Sequence, residues 1–228
     1  MGLGKLINYK GTMKKILLLC LLSISFSQPD VLWEKTFGTS GDDRGTCARE
    51  TSDGGIVFTG VSDGDVWLVK TDINGDEQWS RAFGSDGPYE FGYDVHQTLD
   101  NGYIIVGTIN NGSGNGKDSY IIKTDSNGNE EWSRIYDYSP FDELVSIYQT
   151  FDGGYVAVGQ SRIGVSANVF LIKIDSNGNE QWIKEFGEDN EYADAEQGTS
   201  VKQTIDGGYI IAGIRSEYNE AFDAWLIK

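Results

Sequence analysis

A stretch of fifteen residues returns almost unchanged fifty positions later, and that repetition constrains this chain more than any other feature. Asp118-Ser-Tyr-Ile-Ile-Lys-Thr-Asp-Ser-Asn-Gly-Asn-Glu-Glu-Trp132 comes back as Asn168-Val-Phe-Leu-Ile-Lys-Ile-Asp-Ser-Asn-Gly-Asn-Glu-Gln-Trp182, and a diverged copy runs from Asp65 to Trp79. Trp33, Trp79, Trp132 and Trp182 are spaced by 46, 53 and 50 residues, and an Asp-Gly or Asp-Asn-Gly turn keeps step at Asp53, Asp100, Asp152 and Asp206. A period near fifty marks one supersecondary unit copied four times. Such a unit cannot bury its own apolar surface and must stack on its neighbours.

Each copy reads as four short strands. The first is Cys47–Thr51, Asp94–Thr98, Ser146–Thr150 or Ser200–Thr204, closed by the Asp-Gly turn. The second, such as Tyr103-Ile-Ile-Val-Gly107, is apolar at every position and so has both faces buried. The third, such as Phe170–Asp175, ends in an Asn-Gly hairpin signal, and the fourth alternates Trp, Lys or Arg, then Phe or Tyr. Small antiparallel sheets stacked face to face describe the blades of an all-β propeller, with a β-solenoid as runner-up. The chain enters at a fourth strand (31–37) and stops inside a third strand (225–228). The reading is therefore four blades, the last completed by the N-terminal strand, with an open fragment of a larger propeller as the alternative.

The N-terminus reads as a leader. Lys14 and Lys15 precede the apolar run 16–22, small residues follow, and cleavage is expected after Ser27. Met13 looks like the true start, with residues 1–12 an overrun, so the repeat domain spans 28–228 and the protein is expected to be secreted, either extracellular or in the periplasm or at the cell surface. The apolar run is too short for an ordinary membrane span. Composition enters here. The formal charge of −17 falls to −21 once the leader's four lysines leave, a surface that repels nucleic acid and anionic membrane. Cys47 is then the only cysteine, so stability must come from packing rather than an intrachain disulfide.

Asp175-x-Asn-Gly-x-x-x-Trp182 resembles the tryptophan-docking motif of quinoprotein-type propellers, one residue shorter between Asp and Gly and with Asn where that motif has Thr. The whole unit is similar, more closely, to the Asp-Gly-Gly-Tyr…Leu-Ile-Lys-Thr-Asp-x-Asn-Gly-Asn-Glu-x-Trp repeats of secreted bacterial and archaeal β-propeller proteins. The resemblance covers nearly all of 31–228. It implies blades and export, and no particular activity.

Three groups of residues are candidates for more than packing. Trp33, Trp79, Trp132 and Trp182 are expected to anchor one blade on the next. One first-strand position varies among the copies, as Arg49, His96, Tyr148 and Lys202. Variable positions in a rigid repeat are where a channel-facing ligand site can be written. Asp43, Glu90, Asp142 and Glu196 align ten positions before the turn aspartates, and a ring of such oxygens could hold Ca²⁺, although each acid could equally cap its own connection. No serine-hydrolase, zinc-protease or P-loop pattern is present, and a lone His96 cannot build a histidine-based zinc site. The reading is a non-catalytic exported module that binds a glycan, a peptide or a partner protein domain and needs no cofactor. The alternatives are the propeller part of a glycan-degrading or quinoprotein-like enzyme, and a calcium-stabilised adhesion module.

Overall fold

In the computed structural model, the described residues are 31–84, 90–110, 116–163, 166–187, 195–216 and 221–228, and the expected leader lies outside them. Fifteen strands and no helix make up these residues. The first sheet runs β1 (Arg44–Glu50), β2 (Ile56–Ser62), β3 (Asp65–Thr71) and β4 (Glu77–Phe83); the second runs β5 (Phe91–Gln97), β6 (Tyr103–Ile109), β7 (Asp118–Thr124) and β8 (Glu130–Tyr136). A third meander, β9 (Phe141–Gln149), β10 (Tyr155–Ile163), β11 (Ser166–Ile174) and β12 (Glu180–Phe186), is joined to β13 (Ala195–Gln203), β14 (Tyr209–Ser216) and β15 (Asp223–Ile227) by one parallel bridge, Ala167 to Ala195. Each expected repeat is thus an antiparallel meander, and the fold is all-β.

The Asp-Gly and Asn-Gly turns that mark each repeat share one geometry, whereas the two-residue β2–β3 loop has both Asp63 and Gly64 at positive φ, +51° and +97°. Asp72 N–H bonds the Asp76 carbonyl, Gly75 N–H returns to the Asp72 carbonyl at 3.1 Å, and Gly75 has φ +78°. The Asn before the glycine keeps negative φ, so the Asn-Gly pair forms a four-residue turn closed by a left-handed glycine rather than a two-residue type I′ turn. The Asp72 side chain decides this, because its Oδ1 accepts the N–H groups of both Asn74 and Asp76, at 2.8 and 2.9 Å.

The sheets stack through three cores. Val57, Val66 and Leu68 of the first sheet meet Val95, Tyr103 and Ile105 of the second. Ile104, Val106 and Ile121, on the other face of the second sheet, meet Leu144, Ile147 and Ile172 of the third. Val156, Val158 and Leu171 meet Val201 and Ile211. Adjacent residues of β6 therefore point into different cores, which is why the strand lacks polar alternation. Between the stacked sheets, Trp132 donates its Nε1–H to the Ser176 carbonyl at 3.1 Å, and Tyr136 donates its hydroxyl to the Gly178 carbonyl at 2.8 Å.

A buried lysine in the third strand of each of the first three repeats closes the unit and went unremarked in the sequence. Lys70, Lys123 and Lys173 are 2–3% exposed, yet each reaches the aspartate of the first turn, at 3.0, 2.9 and 3.0 Å. Each also donates to the backbone carbonyl of the following residue. A buried ammonium is tolerable only when every proton is met in this way.

One expectation is corrected. Residues 31–37 do not complete the last sheet. Trp33 lies over the β3–β4 turn, where a Cβ on Gly75 would stand 2.8 Å from its ring, Lys35 pairs with Asp76 at 2.8 Å, and the Phe37 ring sits 5.2 Å from Phe58. That is the seat a fourth strand takes on the following sheet, but here no ladder forms, and β15 pairs with β14 alone among the described residues. The sheets do not close into a ring. Pairing 31–37 with β15 would bring the two ends of the stack together, and both terminal sheets instead keep solvent-facing sides, with Leu226 70% exposed.

Candidate functional site

The variable first-strand positions converge because first strands of successive sheets lie side by side, β1 against β5 and β5 against β9. At the centre is Asp94 on β5, only 5% exposed. Its Oδ1 accepts from Arg49 Nη2 at 3.0 Å and from the Cys47 thiol at 3.2 Å, both on β1, and from the Val95 N–H at 3.0 Å. Its Oδ2 accepts the Ile147 N–H of β9 at 3.2 Å and lies 3.4 Å from His96 Nε2. Burial alone would raise the carboxyl's pKa. The bonds from His96, Cys47 and Ile147 outweigh it, so Asp94 sits below the ordinary carboxylate value and stays ionised. One carboxylate thus ties three sheets together.

His96 continues the network edge-on to Tyr148, with ring centroids 6.3 Å apart. Beside this pair opens a cavity of about 310 Å³ lined by His96, Tyr148, Thr150, Leu99 and Phe151. Leu99 and Phe151 are 86% and 69% exposed, large apolar side chains held on the rim of their turns. The structure therefore brings Arg49, His96 and Tyr148 together, while Lys202, on β13, is exposed and not among the contacts of Asp94. The sequence reading missed Asp94 and Cys47. The available signal was that their position reads Cys47, Asp94, Ser146 and Ser200, with one ionisable acid among small side chains.

Burial lifts the pKa of the Cys47 thiol, with Asp94 adding to the effect, so the sulfur stays protonated and a poor nucleophile. Both Cys47 and His96 direct their polar atoms at Asp94. This hub can fix strands and present an imidazole edge and a phenol to a ligand.

Among the described residues, the four loop acids do not form one ligand cluster. Each belongs to a different sheet connection. Asp142, fully buried, accepts the Tyr138 and Ser139 N–H groups at 2.7 and 2.8 Å and the Ser139 hydroxyl at 2.7 Å. Asp43 accepts the Thr39 N–H at 2.7 Å. Glu90 and Glu196 are buried in the equivalent connections, with Arg215 Nε 3.4 Å from Glu196. Asp142 instead meets Asp118 and Asp137, one oxygen of each lying within 4.8 Å of the others. Burial, then the charges of Asp137 and Asp142, push the Asp118 carboxyl up to about 6. Such a trio could store a proton or take a hard cation. Asp118 and Asp142 are 4% and 0% exposed, whereas Asp137 faces solvent.

No protein-family model matches the chain, and no curated protein is recognisably similar in sequence. Among solved structures, the chain is similar to a Bifidobacterium bifidum s17 protein assigned as an exo-beta-1,3-galactanase (15% identity, 86% of this chain, 72% of that one, TM-score 0.49). It is also similar to an endo-arabinase from Bacteroides thetaiotaomicron VPI-5482 (12% identity, 79% and 74% covered, TM-score 0.46). An endo-1,4-beta-xylanase from the same organism scores 0.48 at 8% identity, with 84% and 72% covered. At these identities and scores, the chemistry of this chain is read from its own residues.

Proposed function

We propose that this is an exported, non-catalytic binding module, an open arc of β-propeller blades of the secreted-repeat type, whose ligand site lies along the first-strand side of the stack. The supporting observation is the cavity beside His96 and Tyr148, flanked by exposed Leu99 and Phe151 and braced from below by Asp94. An imidazole, a phenol and two apolar rim residues suit a peptide or protein loop that brings an apolar side chain with adjacent backbone polar groups. The test is a screen of the full chain against peptide and glycan arrays, followed by the Tyr148→Ala and Phe151→Ser variants. A peptide hit weakened at least tenfold by both supports the reading. Hits confined to glycans, or indifferent to both substitutions, refute it.

A second reading rests on Asp118, Asp137 and Asp142, whose clustered charge a calcium ion would neutralise. A melting temperature raised by millimolar Ca²⁺, with the rise lost in Asp137→Asn, supports it. A melting temperature indifferent to Ca²⁺ and EDTA removes it.

A further inference from the structure

Two junctions between sheets are built from the same parts and use them differently. Between the second and third sheets, Trp132 donates its indole N–H to the Ser176 carbonyl at 3.1 Å. Trp79 holds the same place between the first and second sheets, and among the described residues its indole N–H has no acceptor. Beside it lies Tyr103, with ring centroids 5.6 Å apart. Tyr103 is 2% exposed, yet its hydroxyl makes no hydrogen bond among the described residues. A phenol buried to this degree ordinarily has a partner. Tyr155 is its counterpart at the next junction, but there the indole is already bonded and a charged Glu131 stands where the first junction has Gln78.

Trp79 and Tyr103 line a cavity of about 490 Å³, whose wall also includes Gln78, Gln97 and Asn127. The charges in that wall neutralise each other. Lys70 pairs with Asp53 at 3.0 Å and donates to Gln78 Oε1 at 3.1 Å and to the Thr71 carbonyl at 2.7 Å, so an ionic ligand meets no unmatched countercharge. What remains is neutral and polar. Gln97 uses its side-chain oxygen on the Ser52 N–H at 2.8 Å and keeps its NH₂ group. Gln78 likewise keeps its NH₂ group. Asn127 is held through its backbone, donating to Asp125 at 2.8 Å and accepting from Arg81 at 3.0 Å, so its whole side-chain amide is left over. Burial, then the charge of Asp53, pushes the Tyr103 phenol up to about 12; it stays neutral and can both donate and accept.

We infer that this cavity between the first and second sheets binds a neutral sugar residue. Sugar hydroxyls each donate and accept, and the amides of Gln78, Gln97 and Asn127 with the Tyr103 hydroxyl offer both functions. The carbon edges of Trp79 and Tyr103 suit the C–H groups of a pyranose ring. The free polar groups come from β4, β5 and the turn 125–129, so they enclose a compact ring. An extended peptide would instead need a strand edge to run along. The volume lies within the range of small-ligand pockets, about 300–1,000 Å³. The site shares only Gln97 with the cavity beside His96 and Tyr148, and the inference does not rest on the reading of that cavity.

The test is affinity electrophoresis of the full chain through native gels that contain, one at a time, soluble β-glucan, xylan, galactan, mannan or starch, with polygalacturonate as the charged comparison. Retardation by at least one neutral polysaccharide is expected. Tyr103→Phe and Asn127→Ala should each weaken it about three- to tenfold, the loss of one or two hydrogen bonds, and Tyr148→Ala should leave it unchanged. Tyr103→Phe should also leave the melting temperature where it was, because the hydroxyl holds nothing within the fold; a clear fall would show that it does, and would overturn the inference. Retardation by none of the neutral polysaccharides, or by polygalacturonate alone, overturns it too. So does retardation indifferent to Tyr103→Phe and Asn127→Ala, or lowered equally by Tyr148→Ala, which would assign the sugar to the other cavity.

Discussion

Two glycines with the same backbone conformation separate the cost of that conformation from the cost of sheet docking. Gly178 has φ +79° and Gly153 has φ +83°. A Cβ added at Gly153 meets nothing within 4 Å, whereas one at Gly178 would stand 2.9 Å from both the Trp132 ring and Arg134 Cγ. Gly153→Ala therefore carries only the left-handed penalty of an L-residue, about 1–2 kcal/mol. The Trp132 ring cannot easily yield, because its Nε1–H holds the Ser176 carbonyl at 3.1 Å, Arg134 lies over its face at 5.8 Å and Tyr155 meets it edge-on at 6.1 Å. Overpacking against such a ring adds about 1–3 kcal/mol, so Gly178→Ala should cost about 2–5 kcal/mol. Urea denaturation of both variants gives the comparison. In a Trp132→Ala background the Gly178→Ala cost should fall toward that of Gly153→Ala, leaving only the part set by the close approach of Arg134 Cγ. Equal costs for the two glycine variants with Trp132 intact would refute the idea that the turn is clamped by the neighbouring sheet.

Other expectations are open to measurement. Trp132→Ala should itself lower stability by about 3–5 kcal/mol, and a loss below about 1 kcal/mol would count against docking of the sheets. Asp118 has its folded pKa raised from 3.8 to about 6, so the fold holds an extra proton between these values and stability falls as pH rises through that window. Asp118→Asn should gain about 2–3 kcal/mol relative to the unsubstituted protein between pH 4 and pH 7, read from denaturation at the two pH values. Asp152 is held at about 2, first by the Thr150 hydroxyl and then by Lys173; its stabilising contribution is present above pH 4 and lost as pH falls through 2. Lys173→Met should lower stability at pH 7 and flatten the decline between pH 4 and pH 2. Asp94→Asn leaves the buried end of the Arg49 pair without its charge and should cost about 2–4 kcal/mol in thermal or urea unfolding, against less than about 1 for Lys202→Ala.

The repeat made the strands legible because its marks are local. Glycines at positive φ, Asp side chains capping their own turns and uninterrupted apolar second strands each report on a few neighbouring residues. What lay hidden was set between copies. Lys70, Lys123 and Lys173 sit in apolar third strands and read as polar alternation, yet they are buried because the first-turn aspartate of the same unit comes back to meet them. Asp94 gains its role from Arg49 and Ile147, 45 and 53 residues away, contacts that no spacing within one copy reveals. The loop acids aligned well in sequence and, among the described residues, form no single ligand cluster, since a repeat places equivalent residues at equivalent junctions rather than at one point. Residues 31–37 were recognised as a fourth strand by composition, but whether such a strand closes its own ring depends on the curvature of the stack, which a single unit does not encode.

The most direct test of face-to-face stacking is a nuclear Overhauser spectrum of the indole region, where each of the six tryptophans contributes one N–H signal. The account predicts that the Trp132 indole proton shows cross-peaks to Ser176 and Gly178 in the next sheet's turn. An indole proton that sees only its own hairpin, residues 118–136, would contradict it.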